Sequence, residues 1–154
     1  MGFSFSQNSL DKMNKVHPNL IAFMKELIQI TPYDFKILSG MRTAKEQAEL
    51  YEQGRSKPGT IITNADGYKY CSNHQEKVDG YGYAVDIGVL VKENGKTVYK
   101  GSWKDFHYYE TIYKTAEKAG LLEKYEIEWA GNWKSFREGA HFQIKNARNV
   151  AFKK

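Results

Sequence analysis

Between residues 55 and 83 the chain carries no sustained apolar periodicity; Gly, Asn, Asp, Ser and Lys dominate, and only Thr60-Ile61-Ile62 reads as a short strand. A long irregular stretch inside a compact domain must be held in place by the elements around it, and such loops are usually functional. The flanking segments are regular. Leu20, Met24, Leu27 and Ile28 recur at helical spacing between Pro18 and Pro32, and Phe35 to Ser39 is a strand running into Gly40. Thr43 and Glu46 form a capping-box pair for a helix that carries Ala48, Leu50 and Tyr51 and stops at Gly54.

After the loop, Tyr83 to Val91 reads as a buried strand, Asn94-Gly95 as a hairpin turn, and Thr97-Val98-Tyr99 as the return strand. Phe106, Tyr109, Tyr113 and Ala116 predict a helix from about Trp103 to Ala119, closed by Gly120. Tyr125, Ile127 and Trp129 alternate with charged residues as a half-buried strand, and His141 to Ile144 is the last strand. Roughly three or four helices and about five short strands joined by turns make an α+β domain with a small, mostly antiparallel sheet.

The 154 residues suit one domain and a real hydrophobic core, so a single domain spanning 1–154 is expected. A net charge of +5 favours anionic surroundings, but Lys and Arg are scattered, apart from the Lys153-Lys154 pair. No spacing of basic and aromatic residues marks a nucleic-acid reader, and none is expected as a partner. Cys71 is the only cysteine, which excludes an intrachain disulfide and any zinc site built on two or four thiolates. The opening residues lack the apolar stretch of a secretory signal, and no run approaches the ~20 apolar residues that span a bilayer. Stable membrane association is therefore not expected.

Without thiolates, a catalytic metal would rest on His and Asp or Glu, with about three protein ligands and a position open to water. Four histidines are available. His17, before Pro18, reads as a helix cap or packing residue, and His107, within an amphipathic helix, as a core or interface residue. His74 lies in the irregular stretch. Asp86 follows on a strand whose same face holds Gly82 and Ala84, small residues that leave an open floor beside the carboxylate. That pattern suits a metal ligand as well as it suits a tightly packed strand. Glu138 precedes His141 by three positions, a spacing that fits a proton-transferring acid beside a ligand and is also common without one.

Taken in order, these words resemble a known family. Ser39-Gly40-Met41-Arg42-Thr43, Glu46-Gln47, Leu50-Tyr51 and Gln53-Gly54-Arg55 are followed by Ser72-Asn73-His74 and Gly82-Tyr83-Ala84-Val85-Asp86. Trp129-Ala130-Gly131-Asn132-Trp133 and Glu138-Gly139-Ala140-His141-Phe142-Gln143 complete the set, which spans nearly the whole chain. It is similar to the zinc D-Ala-D-Ala carboxypeptidase and L-alanyl-D-glutamate endopeptidase superfamily, and within it to single-domain bacteriophage endolysins. The resemblance implies the zinc D,D-peptidase (hedgehog-like) fold and one Zn2+ held by His74, Asp86 and His141. It also implies Glu138 as the catalytic acid and base, Arg42 as a substrate- and oxyanion-binding group, and Ser72 as a substrate contact.

The implied activity is hydrolysis of the L-alanyl-D-glutamate bond of peptidoglycan stem peptides. The D-Ala-D-Ala bond, or binding of the wall without catalysis, are the rival readings. The implied setting is a monomer without a separate wall-binding domain, made in the host cytoplasm and reaching peptidoglycan once a phage holin opens the membrane. One departure stands out: Asp86 lies twelve positions after His74, farther than in many relatives, and Asp79 lies within the added residues as an alternative ligand. Trp129, Trp133, Tyr81 and Tyr83 are candidates for the cleft wall.

Overall fold

The computed structural model describes residues 2–135 and 137–153; Lys154 of the basic pair lies outside them. The chain begins with α1 (Gln7–Lys12), α2 (Pro18–Ile30), β1 (Asp34–Ser39) and α3 (Ala44–Glu52). It continues through β2 (Ala84–Glu93), β3 (Lys96–Lys100), α4 (Phe106–Lys118), α5 (Leu121–Tyr125), β4 (Ile127–Trp129) and β5 (His141–Ile144). Short 3-10 turns at Trp103–Asp105, Ala130–Asn132 and Ala147–Asn149 complete the order. All named strand pairs are antiparallel, in the order β1-β2-β5-β4, with β3 alongside the far half of β2.

Period-two alternation divides the sheet into an apolar face and a polar one. Phe35 and Ile37 on β1, Val85, Ile87 and Val89 on β2, and Phe142 and Ile144 on β5 all point to the core. There they meet Leu20, Phe23, Met24 and Leu27 of α2 and Tyr109, Ile112 and Ala116 of α4. The opposite face carries Asp86 between Ser39 and His141, and Ala84 beside Gln143 and Glu128. A register shift between Ile37 and Ser39 brings Ser39 level with Asp86. The backbone N–H of Ile37 donates to the buried Ser9 hydroxyl of α1 at 3.1 Å.

Local signals explain the element ends. Thr43 accepts from the Glu46 backbone, and the Glu46 carboxylate accepts from Thr43 N–H, so the capping box starts α3 as its sequence implies. Asn94 and Gly95 both take positive φ in the β2–β3 turn, as a type I′ hairpin requires. Three expectations change. Thr60-Ile61-Ile62 is not a strand; no neighbour pairs with it, and Ile61 and Ile62 stay exposed. Tyr125 belongs to α5, between left-handed turns at Gly120 and Glu126, which leaves β4 only Ile127–Trp129. The helix expected from Trp103 opens as a 3-10 turn and becomes α-helical at Phe106. The short α1 and α5 carry too few residues to show helical periodicity in the sequence.

Among the described residues, the stretch 55–83 forms no helix or strand of its own. Isolated bridges hold it instead: Arg42 to Gln75, Gly82 to Val16, and Lys77 to Phe152. No helix among the described residues is long and apolar enough to cross a membrane.

Phe142 is fully buried and packs against Phe23 and Trp129. Replacing it with Ala should cost about 3–5 kcal/mol of stability, read as a lowered urea midpoint with little change in the slope.

Candidate active site

Register alone places Asp86 opposite His141, since they are directly paired residues of β2 and β5 on the polar face. His74 comes from the loop, and backbone contacts fix its approach. Its carbonyl accepts from Arg42 N–H at 2.8 Å, and its own N–H donates to the Ser72 hydroxyl at 3.2 Å. The neighbouring backbone has to lie close: a Cβ on Gly82 would stand 2.8 Å from the His74 carbonyl oxygen. His74, Asp86 and His141 thereby bring one donor atom each to within 4.8 Å of one another.

Hydrogen bonding assigns the ring protons. His74 Nδ1 lies 2.8 Å from the Gly40 carbonyl, which can only accept, so Nδ1 donates and Nε2 keeps a bare lone pair. Among the described residues His74 Nε2 is the one buried side-chain nitrogen or oxygen without a hydrogen-bond partner. It points toward Asp86 Oδ2, 3.4 Å away. The Gln143 amide donates to Glu128 at 2.6 Å, which turns its oxygen toward His141 Nε2 at 2.8 Å. His141 Nδ1 then faces Asp86 Oδ1 at 3.1 Å.

The electrostatics follow from this packing. Burial holds the His74 pKa below its ordinary value and keeps the imidazole neutral, the state in which it ligates. Burial alone would raise the Asp86 carboxyl, but His74 and His141 outweigh it and hold Asp86 well below the usual carboxylate range. On His141 burial opposes charge, yet the Asp86 carboxylate prevails and raises the pKa. A proton on His141 Nδ1 and a cation would compete for the same position beside Asp86 Oδ1. An orphaned buried nitrogen, a persistent carboxylate and a second imidazole fit a divalent cation with mixed nitrogen and oxygen ligands.

Glu138 lies just outside this cluster, with Oε2 3.9 Å from His141 Nδ1. Burial, with the Asp86 charge as the next cause, raises its pKa, as suits a group that takes and returns a proton near neutrality. Arg42 is held along its whole guanidinium: Nε donates to Ser39, Nη1 to Gln47 and Nη2 to Asp86 Oδ2 at 2.7 Å. Arg42, Ser72, His74, Asp86, Glu138 and His141 all line a single cleft of about 710 Å³.

Other expectations resolve here. Asp79 is not part of the cluster; it accepts from Tyr81 N–H and from the Tyr83 hydroxyl. Cys71 lines the cleft but stands outside the ligand group. Trp133 lines the cleft, whereas Trp129 stacks on Tyr113 and Phe106 within the core, and Tyr81 and Tyr83 pack around His17. His17 caps α2 through Asn19 N–H, as its position implies. His107 is exposed, so its reading as a core residue is corrected. Gln47 and Gln143 were not assigned from sequence. A glutamine two positions after a ligand on the same strand face, and one buried on the helix after Arg42, are the available signals.

An α+β domain whose polar sheet face presents a carboxylate and an imidazole, joined by a second imidazole from a loop and a further acid beside them, has the layout of a metal-assisted peptidase. The family model for phage L-alanyl-D-glutamate peptidases matches residues 1–147. The chain belongs to that family, and it is a peptidase. It is 32% identical over 150 residues to the peptidoglycan L-alanyl-D-glutamate endopeptidase CwlK of Bacillus subtilis, covering 90% of this chain and 81% of CwlK. To the L-alanyl-D-glutamate peptidase of Escherichia phage T5 it is 25% identical, covering 94% of this chain and 91% of that protein. The crystal structure of the Serratia marcescens L-Ala D-Glu endopeptidase ChiX superposes with a TM-score of 0.66 at 22% identity, covering 96% of this chain and 94% of ChiX. The last of these comparisons concerns the fold.

Because Gln143 orients the His141 ring, Gln143→Leu should weaken binding of a divalent cation such as zinc by roughly 10–100-fold while the protein stays folded. Competition against a chromophoric chelator measures this, and an unchanged affinity would show that the ring needs no such support.

Proposed function

We propose that the protein is a zinc endopeptidase that hydrolyses the L-alanyl-D-glutamate bond of peptidoglycan stem peptides and so lyses the bacterial wall. The observation that carries the reading is the convergence of His74 Nε2, Asp86 and His141 Nδ1 in a cleft that also holds Glu138. Family membership supports it, as do the activities named for CwlK and the phage T5 enzyme.

His74, Asp86 and His141 would hold the zinc. When bound, the metal supplies Lewis-acid polarisation of the scissile carbonyl and lowers the pKa of a water to about 7. Glu138 takes the proton of the attacking water, whose oxygen bonds to the carbonyl carbon. It then delivers that proton to the nitrogen as the C–N bond breaks, leaving a carboxylate and an amine. The Arg42 fork, immobilised by Ser39 and Gln47, contributes fixed positive charge where the oxyanion develops. Ser72, on the rim beside His74, is placed to contact the substrate backbone.

The substrate lies outside the cytoplasmic membrane. In a phage setting we place synthesis in the host cytoplasm, with a holin opening the route, and the enzyme working as a monomer.

Mass spectrometry of purified walls digested by the zinc-loaded protein should reveal new D-glutamyl amino termini. Release of terminal D-alanine instead would mark the enzyme as a carboxypeptidase. Glu138→Gln should retain one zinc per chain and lose roughly 100- to 10,000-fold in kcat; normal turnover by that variant would remove Glu138 from the chemistry. His74→Ala should lose zinc at equilibrium against a weak chelator, measured by elemental analysis, and zinc retained at full stoichiometry would count against the ligand set.

A further inference from the structure

Arg42 and Arg137 are the two guanidinium groups that line the cleft, and no lysine among the described residues does so. They are held very differently. All three Arg42 nitrogens are engaged by Ser39, Gln47 and Asp86. The Arg137 guanidinium carbon sits 4.1 Å from the Phe106 ring centroid, and among the described residues Arg137 donates only from Nε, to the Gly131 carbonyl at 2.8 Å. Phe106 in turn stacks with Trp103 and with Trp129. The ring and the carbonyl together restrain the guanidinium. Among the described residues, no carboxylate lies within ion-pair distance of Arg137.

A pre-positioned guanidinium with both terminal nitrogens uncommitted is a receptor for a planar anion, which it grips through two parallel hydrogen bonds. Its place in the chain says which part of the substrate it meets. Arg137 directly precedes Glu138, so their backbones stand one peptide unit, about 3.8 Å, apart. Glu138 returns its proton to the leaving nitrogen in the mechanism above. Both side chains line the same cleft, which brings the substrate residue attached to that nitrogen within their joint reach. In a stem peptide whose D-glutamyl residue continues through its γ-carboxyl, the free α-carboxylate hangs one carbon from that nitrogen.

We propose that Arg137 is a specificity residue that binds the α-carboxylate of the D-glutamyl residue on the leaving-amine side of the scissile bond. The inference rests on the L-alanyl-D-glutamate reading given above. It means that the enzyme distinguishes stem peptides with a free D-glutamyl carboxylate from those in which this group is a carboxamide. A carboxamide keeps the shape but loses the charge and one acceptor, so one arm of the fork would face an N–H donor.

The test compares kcat/KM of the zinc-loaded enzyme on two synthetic stem peptides, one with D-glutamate and one with D-isoglutamine at that position. The wild type should prefer the carboxylate substrate by about tenfold to a hundredfold, the range of a charge-assisted pair. Arg137→Gln should lose that factor on the carboxylate peptide and change little on the amidated one, so that the preference collapses toward unity. Arg137→Lys keeps the charge without the fork and should retain part of it. Arg137 is exposed, so both variants should fold, with zinc content and melting temperature as the check. A wild type without preference, or an Arg137→Gln loss equal on both peptides, overturns the assignment while leaving the proposed activity standing. Failure of the wild type to cut either peptide overturns both.

Discussion

The pairing of Asp86 with His141 across β2 and β5 fixes everything else about the site. It is a consequence of sheet register: once Val85, Ile87 and Phe142 are committed to the core, the alternate residues must emerge together on the other face. A slip of one residue would bury a carboxylate and an imidazole among Phe23, Met24 and Leu27. The hydrophobic core therefore enforces the geometry of the polar cluster. Only the third member, His74, has to be brought in by a loop. The Gly40 carbonyl and the Arg42 and Ser72 contacts accomplish that.

Beyond the three converging groups lies a layer of neutral amides. Gln47 steadies Arg42, and Gln143 orients His141 while Asn73 donates to the Gln143 oxygen at 3.3 Å. Amides suit this work because they fix ring tautomers and guanidinium planes without adding charge to a cluster already dominated by one buried carboxylate. Asp86 faces Arg42, His74 and His141 together. A carboxylate so surrounded stays ionised, which makes it a persistent anchor for a cation.

Much of this was legible in the sequence because period and punctuation carry strong signals. The β2 alternation, the Thr43–Glu46 capping box, the Asn94-Gly95 turn and the ordered words around His74, Asp86 and His141 each correspond to a feature of the molecule. What escaped reading depends on contacts between distant residues. Ile61 and Ile62 have strand propensity, but a strand needs a paired neighbour, and among the described residues none pairs with them. Tyr125 continues the apolar alternation of Ile127 and Trp129, yet the left-handed Glu126 interrupts it. Phe106 reads only as a helix residue, although its ring lies against the Arg137 guanidinium and stacks with Trp103.

The twelve-position separation of His74 and Asp86 poses the sharpest question, since a long irregular connection could misplace either side chain. Pinning at both ends answers it. Gln75 bridges Arg42 on one side, and on the other Gly82 bridges Val16 and accepts from His17 N–H. Between them Lys77 is buried, its ammonium held by Asn73 Oδ1 and the Val150 carbonyl and lying 3.8 Å from the centre of the Phe152 ring. Burial lowers its pKa to about 8, so the group is still largely protonated at neutral pH. Asn73 gives its oxygen to Lys77 and its N–H to Gln143, so the ammonium that fastens the loop to the C-terminal segment also sets the amide that supports His141. The connecting segment is thus tied into the same polar network as His74, Asp86 and His141, and its length is absorbed at the turn of Val78 to Tyr81, away from the cleft.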